Sequence, residues 1–238
     1  MTEFVCIIPA RCGSRGLPGK NTTSFCSRPL IEWTILHALA ANVGSVVVCT
    51  NDSVVSEIAT KHSCEIYDEP DELAKDMVSM ESVLLWTLER YAELHGTKPT
   101  WLMLLQCTSP LKLASHLREV AAIARTGAFN SIFSVVQSAH CSWRLKDKTL
   151  SAEWPQRAPL CRMLRQQAGQ QWTENGTIYA VKTEAFLAGS AETRFCPPMY
   201  LYEMPLWTAQ QVDTLEDLVM VELIMRTRLQ LGSDGVRS

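Results

Sequence analysis

The 238-residue chain lacks an excess of either charge. Its 22 lysines and arginines nearly balance 25 aspartates and glutamates, and both kinds are scattered along the sequence. We therefore expect no basic surface for a nucleic acid backbone, and any phosphate group must be bound locally. With 47% hydrophobic and 20% charged residues, the composition suits one globular domain with a sizeable core.

The sequence also lacks a CxxC pair, a Cys/His cluster at metal-site spacing and a long apolar run. Its nine cysteines are an odd number at irregular spacings, which favours a reducing compartment. The first residues form only a short apolar run without a basic leader, so we expect neither a signal peptide nor a membrane span. These absences predict a cytoplasmic protein with no membrane partner.

Short apolar runs alternate with helical patterns along most of the chain. This rhythm predicts an α/β fold with a mostly parallel sheet, helices on both faces and ligands at the carboxyl ends of the strands. The predicted strands are 4–8, 46–49, 65–67, 101–105, 131–136 and 176–181. The first predicted helix begins after Pro29, and the other predicted helices cover 54–62, 79–94, 115–125 and 214–230. Residues 137–174 lack sustained periodicity, which indicates a functional segment, an interaction arm or a wrong assignment of its secondary structure.

A glycine-rich loop with three cations directly follows the first predicted strand. It contains Gly13, Gly16 and Gly19 among two arginines and Lys20. Glycines allow backbone N–H groups to approach an oxyanion closely, so the loop is suited to a polyphosphate. A P-loop is excluded because Lys20 is followed by Asn21, and the GxGxxG dinucleotide fingerprint is excluded by the three-residue spacing of the glycines.

Residues 7–21, Ile-Ile-Pro-Ala-Arg-Cys-Gly-Ser-Arg-Gly-Leu-Pro-Gly-Lys-Asn, resemble the opening signature of the acylneuraminate cytidylyltransferases. The resemblance implies a three-layer Rossmann-like nucleotidyltransferase domain that uses CTP to activate a 2-keto sugar acid of the sialic acid type, with release of pyrophosphate. It also implies catalytic roles for Arg11, Lys20 and Asp213. The nucleotide-binding residues that it implies are Arg11, Gly13, Ser14, Lys20, Asn21 and Ser82.

Segment 72–76 is similar to the family's Arg-Pro-x-Glu-Leu-Ala-x-Asp segment, whose neighbourhood helps to hold the base and ribose. Glu69 stands where the family usually has arginine, so a cation near the nucleotide is absent from the pattern. A capped helix start before Ser79 is the structural alternative for most of these residues.

Two patches carry the sugar side of the resemblance. Gln106 to Leu111 is similar to the family's Gln-x-Thr-Ser-Pro-Leu-Arg patch, which implies that Gln106 contacts the sugar; a helix cap at Ser109 is the alternative. Residues 165–166 and 175–179 look like the family's Arg-Gln and Asn-Gly-x-Ile-Tyr pair, which implies substrate contacts by Arg165 and Tyr179. It also implies a homodimer in which an arm, 138–174, lies between domain segments 1–137 and 175–232. Because chain ends are often poorly ordered, we expect 233–238 to be a flexible tail.

Residues 211–217 resemble the family's Asp-x-Asp-Thr-x-x-Asp segment, which implies a Mg²⁺ (or Mn²⁺) site. Asp213 is the metal ligand that remains, because Gln211 replaces the first aspartate. A neutral amide is a weaker partner for a hard cation. Read alone, Asp213 and Asp217 would be acidic residues at the start of the last helix.

Two alternatives stay open at this point. The altered residue Glu69 is compatible with a transferase for another nucleotide or sugar, such as a uridylyl- or guanylyltransferase. The altered residue Gln211 is compatible with an inactive relative that only binds a nucleotide sugar.

Overall fold

The computed structural model describes residues 2–14, 16–75, 77–138, 144–145, 152–153 and 170–230. Within these residues the strands are β1 (Phe4–Pro9), β2 (Ser24–Phe25), β3 (Arg28–Pro29), β4 (Ser45–Thr50), β5 (Glu65–Asp68), β6 (Trp101–Leu105), β7 (Ser131–Ser138), β8 (Arg144–Leu145), β9 (Ala152–Glu153), β10 (Gln171–Lys182) and β11 (Met199–Glu203). The α-helices are α1 (Leu30–Ala41), α2 (Ser53–Lys61), α3 (Met80–His95), α4 (Ala114–Arg125), α5 (Thr183–Ala188) and α6 (Leu215–Gln230). Short 3-10 helices cover Lys20–Thr22 and Leu206–Ala209.

Seven strands form the main sheet in the order β11-β7-β10-β6-β1-β4-β5. Strand β10 is antiparallel to both of its neighbours, and the other adjacent pairs are parallel. The predicted mostly parallel sheet is therefore confirmed. Because β1, β4, β5 and β6 run in one direction, the segments that follow them meet at one edge of the sheet.

The sequence of β1 explains the three layers. Successive side chains of a strand point to opposite faces, and a strand that is covered on both faces is apolar throughout. Phe4, Cys6 and Ile8 belong to a core cluster with residues of α1, α2 and α4. Val5 and Ile7 belong to a second cluster with residues of α3. Helices therefore cover both faces of the sheet.

A third apolar cluster anchors the last helix. Leu218, Val221 and Met225 of α6 pack with Phe25 and Trp33. This packing holds the segment just before α6 above the loop that follows β1. No described helix combines the length and the apolar character that crossing a bilayer requires.

The structure adds elements that the periodicity did not predict. Strand β11 lies at the sheet edge, and only Tyr202 of its five residues is buried, so it has no apolar alternation. Helix α5 spans six residues, too few for a periodic pattern. Strand β10 begins at Gln171 rather than at Gly176, because it pairs with β7 from Ser138 onward. Most of the predicted arm and the tail 233–238 lie outside the described residues.

Candidate functional site

A cavity of about 510 Å³ opens at the carboxyl edge of the sheet. Its walls come from the loop after β1, the segment between β5 and α3, the segment after β6 and the residue Asp213 before α6. These four segments are far apart in sequence and meet because their strands are parallel and because α6 packs against the β2–β3 hairpin. Arg11, Ser14, Lys20, Asn21, Gln106 and Asp213, all predicted site residues, line this cavity.

The loop after β1 is held by hydrogen bonds to the neighbouring segments. The Arg11 guanidinium donates to the carbonyl oxygen of Ala74 at 2.6 Å. The Asn21 side-chain amide donates to the carbonyl oxygen of Arg11 at 3.2 Å. Gly19 has φ +66° and precedes the 3-10 helix that carries Lys20. Gly13 lines a shallower neighbouring cavity together with Arg11.

Lys20 and Asp213 form an ion pair across the cavity wall. The Lys20 ammonium donates to Oδ1 of Asp213 at 2.8 Å, and the two side chains are 12% and 64% exposed. Gly16 makes this approach possible, because a Cβ atom at that position would collide with the backbone carbonyl of Asp213. The arrangement brings a cation, a carboxylate and a closely packed glycine loop together at one place.

The two aspartates near the start of α6 have different roles. The Asp217 carboxylate accepts hydrogen bonds from the backbone N–H groups of Asp213 and Thr214, while the Thr214 hydroxyl accepts from the N–H of Asp217. This is a capping box at the start of α6. The Thr214 backbone donor is the main reason why the pKa of Asp217 lies below its ordinary value. Asp213 instead lines the cavity, where its exposed carboxylate is accessible to a ligand.

The residue at position 211 does not act as an acidic group. The Gln211 side-chain amide donates to the carbonyl oxygen of Asn175 at 3.0 Å, a hydrogen bond that a carboxylate could not make. The described residues contain no group of three or more His, Cys, Asp or Glu side chains arranged to hold a metal ion. A divalent cation here would therefore depend on Asp213 and on oxygen atoms of a bound ligand, which is a common arrangement for Mg²⁺.

The buried Lys112 organises the segment after β6. Its ammonium donates to the carbonyl oxygens of Gln106 at 2.9 Å and Ser109 at 2.7 Å, and to the Thr34 hydroxyl at 3.0 Å. Burial lowers the pKa of Lys112 to about 7. The Ser109 hydroxyl donates to the carbonyl oxygen of Gly176, which joins this segment to β10. Lys112 thereby fixes the backbone that presents Gln106 to the cavity.

Glu69 is a buried acid in the cavity wall, 3% exposed. Its Oε2 atom has no hydrogen-bond partner within the described part of the chain. Burial raises the pKa of Glu69 to about 7, and the charge of Arg11 opposes this rise. The sequence identified Glu69 only as a departure from a family pattern.

Two predicted residues, Ser82 and Tyr179, lie away from this cavity. Ser82 lies in the first turn of α3, where its backbone N–H donates to the capping hydroxyl of Ser79 at 3.2 Å. The Tyr179 hydroxyl donates to Glu174 at 2.9 Å, and the Arg194 guanidinium lies 4.5 Å from the centre of its ring. Neither Ser82 nor Tyr179 is among the described residues that line the cavity. Arg165 lies outside the described residues.

Comparisons with known proteins identify a matching family and several relatives. The family model described as cytidylyltransferase matches residues 5–220. An N-acylneuraminate cytidylyltransferase A from Danio rerio is 30% identical over 186 residues, which cover 77% of this chain and 42% of the relative. An N-acylneuraminate cytidylyltransferase from Escherichia coli O18:K1:H7 is 32% identical over 139 residues, or 58% of this chain and 32% of the relative. The chain thus spans less than half the length of these two relatives.

Solved structures show the same fold. The structure of a CMP:2-keto-3-deoxy-manno-octonic acid synthetase complexed with CTP matches with a TM-score of 0.68 at 19% sequence identity. The matched region covers 95% of this chain and 99% of the synthetase chain. A 4-diphosphocytidyl-2C-methyl-D-erythritol synthase from Anaerococcus prevotii has a TM-score of 0.64 at 10% identity, with 94% and 98% covered. The predicted fold class is confirmed by these likenesses.

Proposed function

Because the chain belongs to the cytidylyltransferase family, we propose that it transfers a cytidylyl group from CTP to a 2-keto sugar acid of the sialic acid type. The acylneuraminate cytidylyltransferases among its relatives support this choice of substrate. The products are the CMP-sugar and pyrophosphate. The observation that carries the proposal is the Lys20–Asp213 pair beside the glycine-rich loop, at the edge of the sheet where this fold binds its ligands.

In the proposed reaction, the anomeric hydroxyl of the sugar acid attacks the α-phosphorus of CTP. The new P–O bond forms as the bond to the bridging oxygen of pyrophosphate breaks, and the hydroxyl proton is released. Lys20 and Arg11 neutralise charge on the departing pyrophosphate, and backbone N–H groups of the loop orient the phosphates. Most of the rate enhancement would come from positioning and electrostatics, as in phosphoryl transfer generally.

The donor set fits a divalent cation that is shared with the substrate. Asp213 exposes a hard carboxylate in the cavity and would hold Mg²⁺ or Mn²⁺ together with triphosphate oxygens. When bound, this cation would supply charge neutralisation at the phosphates. We expect the Asp213 carboxylate to turn from Lys20 toward the cation, which would free the ammonium for a phosphate oxygen.

We also propose that the enzyme works as a homodimer through the arm 138–174, with Arg165 and Tyr179 on the sugar side. Exposed apolar side chains on β10 and on the edge strand β11 support an interface, namely Trp172, Met199 and Leu201. A guanidinium such as that of Arg165 matches a sugar carboxylate bidentately. Sedimentation velocity at micromolar concentration should give the mass of a dimer, and a monomer would contradict the proposal.

The proposed activity is tested with a panel of acceptors. Purified protein is incubated with CTP, Mg²⁺ and, in separate reactions, sialic, legionaminic, pseudaminic or 3-deoxy-manno-octulosonic acid. We expect pyrophosphate release with at least one nine-carbon acid. A folded sample that releases no pyrophosphate with any of the acids would contradict the proposal.

A further inference from the structure

Glu69 places a carboxyl group in the wall of the cavity. The residue directly follows β5 and is 3% exposed. Its Oε2 atom is buried and has no hydrogen-bond partner among the described residues. A buried acceptor without a donor is rare in folded proteins because it loses its hydration without compensation. The position therefore indicates that a bound molecule supplies the missing donor.

The strand order places Glu69 and Gln106 on opposite sides of the glycine-rich loop. Gln106 follows β6, which is adjacent to β1, whereas Glu69 follows β5, which is two strands from β1 on the other side. At about 4.8 Å between neighbouring strands, Glu69 lies roughly 10 Å across the sheet from the strand that carries the loop. A molecule with its phosphates at the loop can reach Glu69 only with a part that extends well beyond them.

The wall on the Glu69 side suits a flat ring. The segment between β5 and the first turns of α3 contributes four apolar residues to the cavity, namely Leu73, Val78, Met80 and Val83. Aromatic faces pack well against apolar side chains, while the polar edge of such a ring needs a hydrogen-bond partner. Among the parts of a nucleotide, the base has this combination of an apolar face and a polar edge.

We infer that Glu69 reads the base of the nucleotide, because its carboxylate accepts a hydrogen bond from the exocyclic amino group of cytosine and rejects the carbonyl oxygen of uracil at the same position. This inference rests on the proposed function and assigns the base selectivity to this chain's own residue. Acidic side chains recognise cytosine through the N4 amino group in other proteins. Discrimination comes from repulsion of the wrong base as well as attraction of the right one.

The test compares CTP and UTP binding by isothermal titration calorimetry at pH 8 with Mg²⁺ present. The wild type should bind CTP at least about tenfold more tightly than UTP, in line with the discrimination that one such contact gives. Glu69→Gln should bind UTP more tightly and bring the ratio to within about threefold, because an amide can turn its N–H group toward a carbonyl oxygen. The matched control Glu72→Gln, an exposed acid of the same segment, should keep the wild-type ratio.

A second measurement on the wild type does not depend on the variant folding. With a pKa of about 7, Glu69 is neutral at pH 6 and can then donate to uracil, so the CTP preference should rise severalfold between pH 6 and pH 8. Among the described residues, the other charged side chains in the cavity wall are those of Arg11, Lys20, Lys75 and Asp213. These residues and the triphosphate are common to both complexes, so their titration cancels in the ratio.

Each outcome has one meaning. A CTP-to-UTP ratio that is unchanged in folded Glu69→Gln, or constant with pH in the wild type, overturns the inference. In that case, pyrophosphate release from CTP and a sugar acid would still uphold the proposed function. A wild type that binds neither nucleotide and releases no pyrophosphate overturns both.

Discussion

The ammonium of Lys20 donates a hydrogen bond of 2.8 Å to the carboxylate of Asp213, which lies 193 residues further along the chain. Because Asp213 is 64% exposed, a pair of this kind stabilises a fold by at most about 1 kcal/mol. We propose that the two side chains are ligand-binding groups that neutralise each other until a polyphosphate enters the cavity.

Replacement of Lys20 by methionine should remove this phosphate contact and leave the fold intact. We expect kcat/KM for CTP to fall by about 10²- to 10³-fold, the usual loss when one preorganised donor to a developing oxyanion is removed. Steady-state kinetics with a pyrophosphate assay measure the change. Lys98→Met, at an exposed lysine before β6, is the control and should retain wild-type kinetics; equal losses in both variants would contradict the assignment.

Asp213→Asn should change the metal dependence of the reaction. An asparagine keeps the size of the side chain but is a weaker ligand for Mg²⁺. We expect the Mg²⁺ concentration for half-maximal activity to rise by about tenfold or more, whereas the melting temperature should change little. A titration of activity against Mg²⁺ tests this. A half-maximal concentration equal to that of the wild type would show that Asp213 does not hold the cation.

Gly16→Ala should destabilise the site through a steric effect. The added methyl group would occupy the space of the Asp213 backbone carbonyl, so the loop or the segment before α6 must move. We expect a loss of about 1–3 kcal/mol in the free energy of unfolding and a weaker affinity for CTP. In Gly189→Ala the new Cβ atom would meet its nearest neighbours at 3.7 Å, and this control should change both quantities little. An equal effect of the two substitutions on CTP affinity would contradict the account.

Lys112 should make stability depend on pH. Burial lowers its pKa from 10.5 to about 7 in the folded protein, so between these values the unfolded chain binds more protons. Stability therefore rises with pH in this window, at a rate of roughly 1 kcal/mol per pH unit. Urea denaturation of the wild type and of Lys112→Met at pH 7, 8 and 9 isolates the effect, since other titrating groups are common to both. A difference in free energy that is constant over this range would refute the depressed pKa.

The fold could be predicted because β1, β4 and β6 are apolar runs between helical patterns, and Trp101–Leu105 was predicted with its observed bounds. The candidate ligand-binding residues of the glycine-rich loop could also be predicted, because they are contiguous in the sequence. The roles of Glu69 and Lys112 could not be predicted from the sequence. The burial of both side chains, the Oε2 atom of Glu69 that is unpaired among the described residues and the three acceptors of Lys112 depend on segments that meet only in the fold. Resemblance to family patterns implies ligand contacts for Ser82 and Tyr179, whereas the structure gives each a hydrogen-bond partner outside the cavity wall.

The most direct test of cytidylyl transfer is ³¹P NMR of a reaction that contains the protein, CTP, Mg²⁺ and N-acetylneuraminic acid. The account predicts that the three CTP resonances are replaced by one phosphodiester signal and by pyrophosphate in equimolar amounts, and that both products depend on the sugar acid. Unchanged CTP in the presence of folded protein, or release of inorganic phosphate without a phosphodiester, would contradict it.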